Sequence, residues 1–325
     1  MEFHQGKIRI VKKFGRSTPI LVPSFSSKGF PHVKEIHYYL KQKLTDASLV
    51  SAYDLYYGHL QSDQIYESDI LFVDSGGYET NKDSDISEVY GTLYLSKEWN
   101  ENLFEEQVSK LKPVTDIVLV NFDYTRSISL EEQIERAKSL FNKFPEYASD
   151  FLYKPQEKTL INVDNLIQKI ELFSQFDIIG FTEKELGYSI LERANNIFRI
   201  RKALDDAGLD VPMHIFGCLD PLTVVLYCLC GADVFDGLSW LRFSFKNGTP
   251  TYINHHALRN GLWERNDNEV KVISFAENLE VLSQLKNQLK KFINSSDWND
   301  LGINNEELYE LKRILNKIIS LNDNK

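Results

Sequence analysis

Cysteine is scarce in this chain: Cys218, Cys228 and Cys230 are the only three in 325 residues, and all fall in one short segment. That leaves no disulfide framework and suits a reducing compartment. Cys228-Leu229-Cys230 has the spacing of a metal clip, but it lies in the apolar helical run Thr223–Cys230, where a buried structural thiol is the expected state. No His-x-His follows the first strand-like run, as a metal-dependent amidohydrolase barrel would need. No Gly-x-x-x-x-Gly-Lys-Ser/Thr occurs either, so nucleotide hydrolysis on such a loop is not expected. No stretch reaches the roughly 18 apolar residues of a bilayer span, and Met1–Lys7 carries no apolar run. We therefore expect no membrane partner and a cytoplasmic location. Positive charge is also short, at 37 Lys and Arg against 47 Asp and Glu, a net charge of −10. Such a chain repels polyanions at long range, so a nucleic acid would need local basic surface or a protein partner to dock.

What is present is 42% hydrophobic and 12% aromatic content, enough for a sizeable core. Strand-like apolar runs alternate with amphipathic helical runs, the pattern of parallel βαβ units. Eight strands are expected, over Pro19–Ser24, Ser48–Tyr53, Ile70–Asp74, Asp116–Asp123, Asp150–Lys154, Asp177–Phe181, Pro212–Phe216 and Asp233–Asp236. Helices are expected over His32–Leu44, Asn102–Leu111, Leu130–Phe144, Val163–Ser174, Ile190–Ala207 and Leu222–Leu229. Eight units favour an α/β fold of the closed (β/α)8 kind over an open doubly wound sheet. An irregular segment, Phe243–Asn268, follows the last strand and contains the turn signal Lys246-Asn247-Gly248-Thr249-Pro250. Two further helices, Ala276–Ile293 and Glu306–Ser320, make a small C-terminal cap. The expected division is a barrel over residues 1–268 and a helical cap over 269–325.

In such a barrel the chemistry sits at the carboxyl ends of the strands. Strand three ends in Asp74-Ser75-Gly76-Gly77-Tyr78, strand four in Asn121-Phe122-Asp123, and strand eight in Phe235-Asp236-Gly237, so three carboxylates converge on one face. Paired glycines after an acid let the backbone pass close to a planar ligand. Each feature also has an ordinary explanation: a capped turn for Asp-Ser-Gly-Gly, and a helix cap or a salt bridge for a lone acid. Asp220 before Pro221 is such a case, an N-cap with proline at the first helical position. His214, inside strand seven, reads as a hydrogen-bonded structural histidine, and the adjacent His255 and His256 form no ligand pattern.

Four segments together resemble a known family. Thr18-Pro19-Ile20-Leu21-Val22-Pro23, Asp74-Ser75-Gly76-Gly77-Tyr78, Ile179-Gly180, and the stretch from His214-Ile215-Phe216-Gly217-Cys218-Leu219-Asp220-Pro221-Leu222 through Gly231-Ala232-Asp233-Val234-Phe235-Asp236 to Arg242 are similar, in order and spacing, to the tRNA-guanine transglycosylases and their DNA-acting DpdA-type relatives. The resemblance implies that Asp236 attacks the anomeric carbon of a guanosine-type nucleotide and holds the sugar covalently, work that suits a carboxylate. It implies that Asp74 protonates the departing base and deprotonates the incoming one. Asp123 would accept from guanine N1–H and the exocyclic amine. Ser75, Gly76, Gly77, Gly180 and Gly217 would line the base pocket, Arg242 would contact phosphate, and Glu183 or Glu185 would face the incoming base.

The departures from the family matter as well. Members acting on tRNA carry zinc-binding Cys-x-Cys-x-x-Cys and His after strand eight, whereas no cysteine follows Cys230 here, so no metal and no other cofactor is expected. Phe275-Ala276-Glu277-Asn278-Leu279-Glu280-Val281-Leu282 resembles the family's terminal helix, which would have to be held by packing instead. Gly237 and Glu79 stand where tRNA enzymes often have Cys and Gln. With the acidic balance, these losses favour DNA over tRNA as the polynucleotide and a 7-deazaguanine as the incoming base. Two alternatives stay open: a base-releasing glycosidase acting on a free nucleoside or nucleotide, and a non-catalytic accessory subunit. A basic groove formed by Arg242, Lys246, Arg259, Arg265 and Lys271 would favour a polynucleotide; an acidic rim would favour the free nucleoside.

Overall fold

The computed structural model describes residues 4–80, 94–124, 128–157 and 159–323. Met1–Phe3 and the last two residues, Asn324 and Lys325, lie outside it. Eight parallel strands form one sheet: β1 (Ile20–Pro23), β2 (Ala47–Ser51), β3 (Ile70–Asp74), β4 (Asp116–Val120), β5 (Ala148–Tyr153), β6 (Ile178–Thr182), β7 (Met213–Phe216) and β8 (Val234–Gly237). Neighbours pair in sequence order from β2 to β8, and β8 pairs back onto β1. The ring closes between β1 and β2 through one parallel bridge, Ser24 to Leu49, where the Phe25 N–H donates to the Leu49 carbonyl at 2.9 Å. This is the expected (β/α)8 architecture, and the open-sheet alternative falls away.

Alternation along the strands sends one set of side chains inward and the other out to the helices. Ile20, Val22, Leu49, Ile70, Phe72, Val118, Val120, Leu152, Ile178 and Val234 fill the barrel. A larger apolar layer lies between strands and helices, including Leu71, Leu119, Phe151, Ile179, Ile215 and Phe235 on the strand side. Among the outer helices, Pro221–Leu229 starts as expected: Asp220 Oδ1 accepts from the Thr223 N–H at 2.9 Å, with Pro221 at the first helical position. The three cysteines are buried free thiols in this apolar surround.

The expected cap is present and longer than its apolar period suggests. Its first helix runs Asp267–Ser295, started by a capping box in which Asn266 and Glu269 satisfy each other's backbone N–H groups. Its second runs Asn305–Asn322 and packs on the outer helix Ile190–Asp206. Asn278, fully buried in the first, donates to the carbonyls of Trp240 (2.6 Å) and Phe243 (2.7 Å) and accepts from the Phe245 N–H (2.7 Å). One side chain thereby satisfies three backbone groups of the irregular chain after β8. Phe275 packs edge-on to Trp240 beside it. At the opposite end of the barrel, Asp233 is clamped by Arg9 (3.1 Å) and Arg201 (2.8 Å), all three buried, and accepts from the Met213 N–H (2.9 Å). Those bonds fix the start of β8 relative to β7.

Candidate active site

A cleft of about 1080 Å³ opens at the carboxyl ends of the strands. Asp74, Gly77, Asp123, Gly217, Asp236 and Arg242 all line it, so six residues singled out from the sequence meet in one place. Asp236, at the end of β8, is 7% exposed and well provided with donors. Its Oδ2 accepts from Ser24 Oγ at 2.8 Å and its Oδ1 from the Gly217 N–H at 3.0 Å, while His214 Nε2 stands 3.3 Å from Oδ1. Donors of this kind fix the direction in which a carboxylate points.

Asp74, at the end of β3, has the opposite surroundings. Its Oδ2 accepts from the Gly76 N–H at 3.1 Å. Burial pushes its carboxyl up to about 6; the Gly76 bond opposes this, and the charges of Asp236 and Asp123 add to it. Next to it Glu79, also buried, is pushed well above its ordinary range by burial and by Asp54 and Asp74. One acid is thus held by donors and another shifted toward neutrality, the split that general acid–base chemistry at a shared site requires.

Asp123 stands on the loop after β4 and is tied to the β3 loop, because its N–H donates to Ser75 Oγ at 3.2 Å. A Cβ on Gly77 would lie 2.6 Å from Asp123 Oδ2, so only glycine lets the two loops approach this closely. Lys154, just past β5, reaches Asp123 Oδ2 (3.5 Å), Glu185 Oε1 (3.4 Å) and Thr182 Oγ1 (2.8 Å). Burial works against the ammonium, but Asp123 and Glu185 hold it above its usual value. Lys154 and Glu185 both line the cleft. Glu183 points elsewhere, accepting from Arg193 (3.1 Å) and the Tyr227 hydroxyl (2.9 Å).

Ser75, Gly76 and Gly180 are not among the cleft-lining residues. Ser75 is buried, and its carbonyl accepts from Trp99 Nε1 at 2.7 Å, which anchors the turn from behind. Gly180 sits in the barrel wall on β6, between Leu152 of β5 and His214 of β7. A Cβ there would stand 2.4 Å from Phe216 Cε2 and 3.2 Å from Asp150 Oδ1. The bare backbone leaves room for His214 Nδ1 to meet Asp150 Oδ2 at 2.6 Å across the intervening strand, both residues fully buried. Sequence reasoning passed over Ser24, Asp150 and Lys154. The available signal was the inward alternation on β5, where Asp150 and Lys154 share the face of Ala148 and Leu152.

No family model matches the chain, and no curated protein does. The chemistry of the site therefore rests on its own geometry. Eight charged residues line the cleft: Asp74, Glu79, Asp123, Glu185 and Asp236 against Lys154, Lys184 and Arg242. Of the basic residues expected to form a groove, only Arg242 is among them. Lys246 pairs with Glu277 at 3.4 Å and Arg265 with Glu269 at 3.7 Å. Among the described residues no cluster of His, Cys, Asp and Glu has the arrangement of a metal site, and no helix is long and apolar enough to cross a membrane.

Proposed function

We infer that the protein breaks and remakes the N-glycosidic bond of a guanine-type nucleotide, exchanging guanine for a 7-deazaguanine through a covalent bond between Asp236 and the sugar. The observation that carries this reading is the pair of unlike carboxyls at the strand ends: Asp236 accepting hydrogen bonds from Ser24 and Gly217, and Asp74 lifted to about 6 by burial. In the first step an Asp236 oxygen bonds to the anomeric carbon, the bond to the base breaks, and the electron pair leaves with the base, which takes a proton from Asp74. In the second, the incoming base gives its proton to Asp74 and bonds to the sugar, and the electron pair returns to Asp236. Asp123 and Lys154 would present an acceptor and a donor side by side, the complement of guanine's N1–H and O6. The test incubates the protein with DNA or tRNA and labelled guanine or 7-cyano-7-deazaguanine. Wild type should incorporate label and Asp236→Ala should not; equal incorporation by both sinks the nucleophile assignment.

DNA remains the favoured polynucleotide, for the losses relative to tRNA enzymes set out above. A second reading, release of the base from a free nucleoside or nucleotide with water as the acceptor, is favoured by one observation: the cleft is lined by five acids against three bases. Supplying guanosine alone separates the two, since release of guanine without a polynucleotide supports only the second.

A further inference from the structure

Beneath the cleft, three polar residues cross the barrel interior in a line: Asp150 of β5, His214 of β7 and Asp236 of β8. Asp150 and His214 have no exposed side-chain surface and Asp236 has 9%. The hydrogen bond from His214 Nδ1 to Asp150 Oδ2 is short and direct, and the other ring nitrogen faces Asp236 Oδ1 at 3.3 Å without the alignment of a hydrogen bond. That second link acts through charge and a long, poorly aligned contact. Phe216 stacks on the imidazole with ring centroids 3.8 Å apart, and Phe72 meets it edge-on at 5.5 Å. The charged groups facing the ring are Asp150 and Asp236, with apolar rings against its other sides.

We propose that His214, bonded to Asp150 on one side and facing Asp236 on the other, is a positioning residue that sets how readily Asp236 gives the sugar back, and so keeps the covalent intermediate from accumulating. The inference rests on Asp236 being the nucleophile of the proposed reaction. Burial alone would drive the imidazole neutral; Asp150, by charge and hydrogen bond, and Asp236 outweigh it and carry the ring to about 9. A cation beside Asp236 stabilises the free carboxylate and does nothing comparable for the neutral ester that forms when Asp236 bonds to the sugar. It therefore makes the carboxylate a weaker nucleophile and a better leaving group. An exchange enzyme needs the second property, because its product forms only when the C–O bond to Asp236 breaks and the electron pair returns to the carboxylate. Gly180 is part of the device, since a side chain there would occupy the space in which Asp150 meets His214.

Two measurements test this. The first needs no substrate: nitrogen-15 spectra of the His214 ring should show both nitrogens protonated from pH 6 to 8 in wild type, and Asp150→Asn should return the ring to the neutral form by pH 8. A neutral His214 ring in wild type at pH 7 overturns the proposal whatever the protein's function. The second follows the covalent adduct by mass in rapid-mixing experiments with a guanine-containing DNA oligonucleotide. His214→Gln, which keeps a donor without the charge, should form adduct no slower than wild type and resolve it about tenfold more slowly or worse, so that adduct accumulates. A role in folding alone would slow both steps together or leave their ratio unchanged, and that result overturns the proposal. Product formed with no adduct on Asp236 at any time, in wild type and in His214→Gln alike, defeats the functional reading and removes the leaving-group role with it, even where the ring proves to be an imidazolium.

Discussion

Replacing Asp74 by asparagine should make the protein more stable and inactive at once. The carboxyl's ordinary value of 3.8 is lifted to about 6 in the folded chain, chiefly by burial. At roughly 1.36 kcal/mol per unit, keeping Asp74 ionised in the fold costs about 3 kcal/mol. Asp74 lines an open cleft, so water discounts this to roughly 1–3 kcal/mol. The sign follows from proton binding. Between pH 3.8 and about 6 the folded protein holds a proton on Asp74 that the unfolded chain has released. The stability this group contributes is thus fully present below the unfolded value and is lost as pH rises through about 6. Asparagine keeps an oxygen for the Gly76 N–H and does not titrate. The difference between variant and wild type should be near zero at pH 4 and reach its full size above pH 7. In a chain of this size that is a rise in Tm of roughly 2–6 °C at pH 8. Urea or thermal unfolding at pH 4, 6 and 8, followed by circular dichroism, reads it directly. A variant less stable than wild type at pH 8, or a pH-independent difference, would refute the claim that Asp74 is held ionised at a cost.

Three other changes have definite outcomes. Asp236→Ala should lower base exchange by roughly 10³-fold or more while leaving the circular dichroism spectrum unchanged, as measured with labelled guanine. Gly180→Ala puts a methyl 2.4 Å from Phe216 Cε2 and should cost about 1–3 kcal/mol in urea unfolding; an unchanged midpoint would mean that the barrel wall yields more than its packing suggests. Arg201→Met leaves buried Asp233 with one of its two cations and should cost about 3–5 kcal/mol, with exchange by the surviving folded protein unaffected because the cluster lies at the far end of the barrel.

The strands were legible because their apolar runs are uninterrupted; their ends were not, and the reasons are local. β2 stops at Ser51 because that hydroxyl accepts from the Asp54 N–H and starts a turn of helix, so Tyr53 is helical where a strand was expected. β4 stops at Val120 because Asn121 turns its side-chain amide to the backbone of β5, accepting from Leu152 N–H at 2.6 Å and donating to Leu152 O at 3.2 Å. The single helix expected over Val163–Ser174 is a short helix, Val163–Ile167, followed by a tighter turn over Ile170–Gln175; apolar spacing does not distinguish the two. At the site, residues at strand ends were recoverable because a barrel places them there. The Asp150–His214 bond was not, because it depends on register: the two belong to β5 and β7, and only the bare Gly180 between them brings them together.

That dependence suggests how an acidic protein can carry five carboxyls in one cleft. Charge of one sign in a confined space must be neutralised by protons or by placed cations, and the barrel uses both. Asp74 and Glu79, which burial and neighbouring carboxylates both disfavour as anions, are shifted toward the protonated form. Asp123 and Glu185 share Lys154. Asp236 has His214, itself fixed from below by Asp150. The two means of neutralisation are not interchangeable: a carboxyl kept near neutrality can pass a proton, whereas one facing a fixed cation can bond to carbon and let go. Exchanging the two environments, by giving Asp74 a cation or taking His214 from Asp236, should therefore cost the chemistry more than the fold.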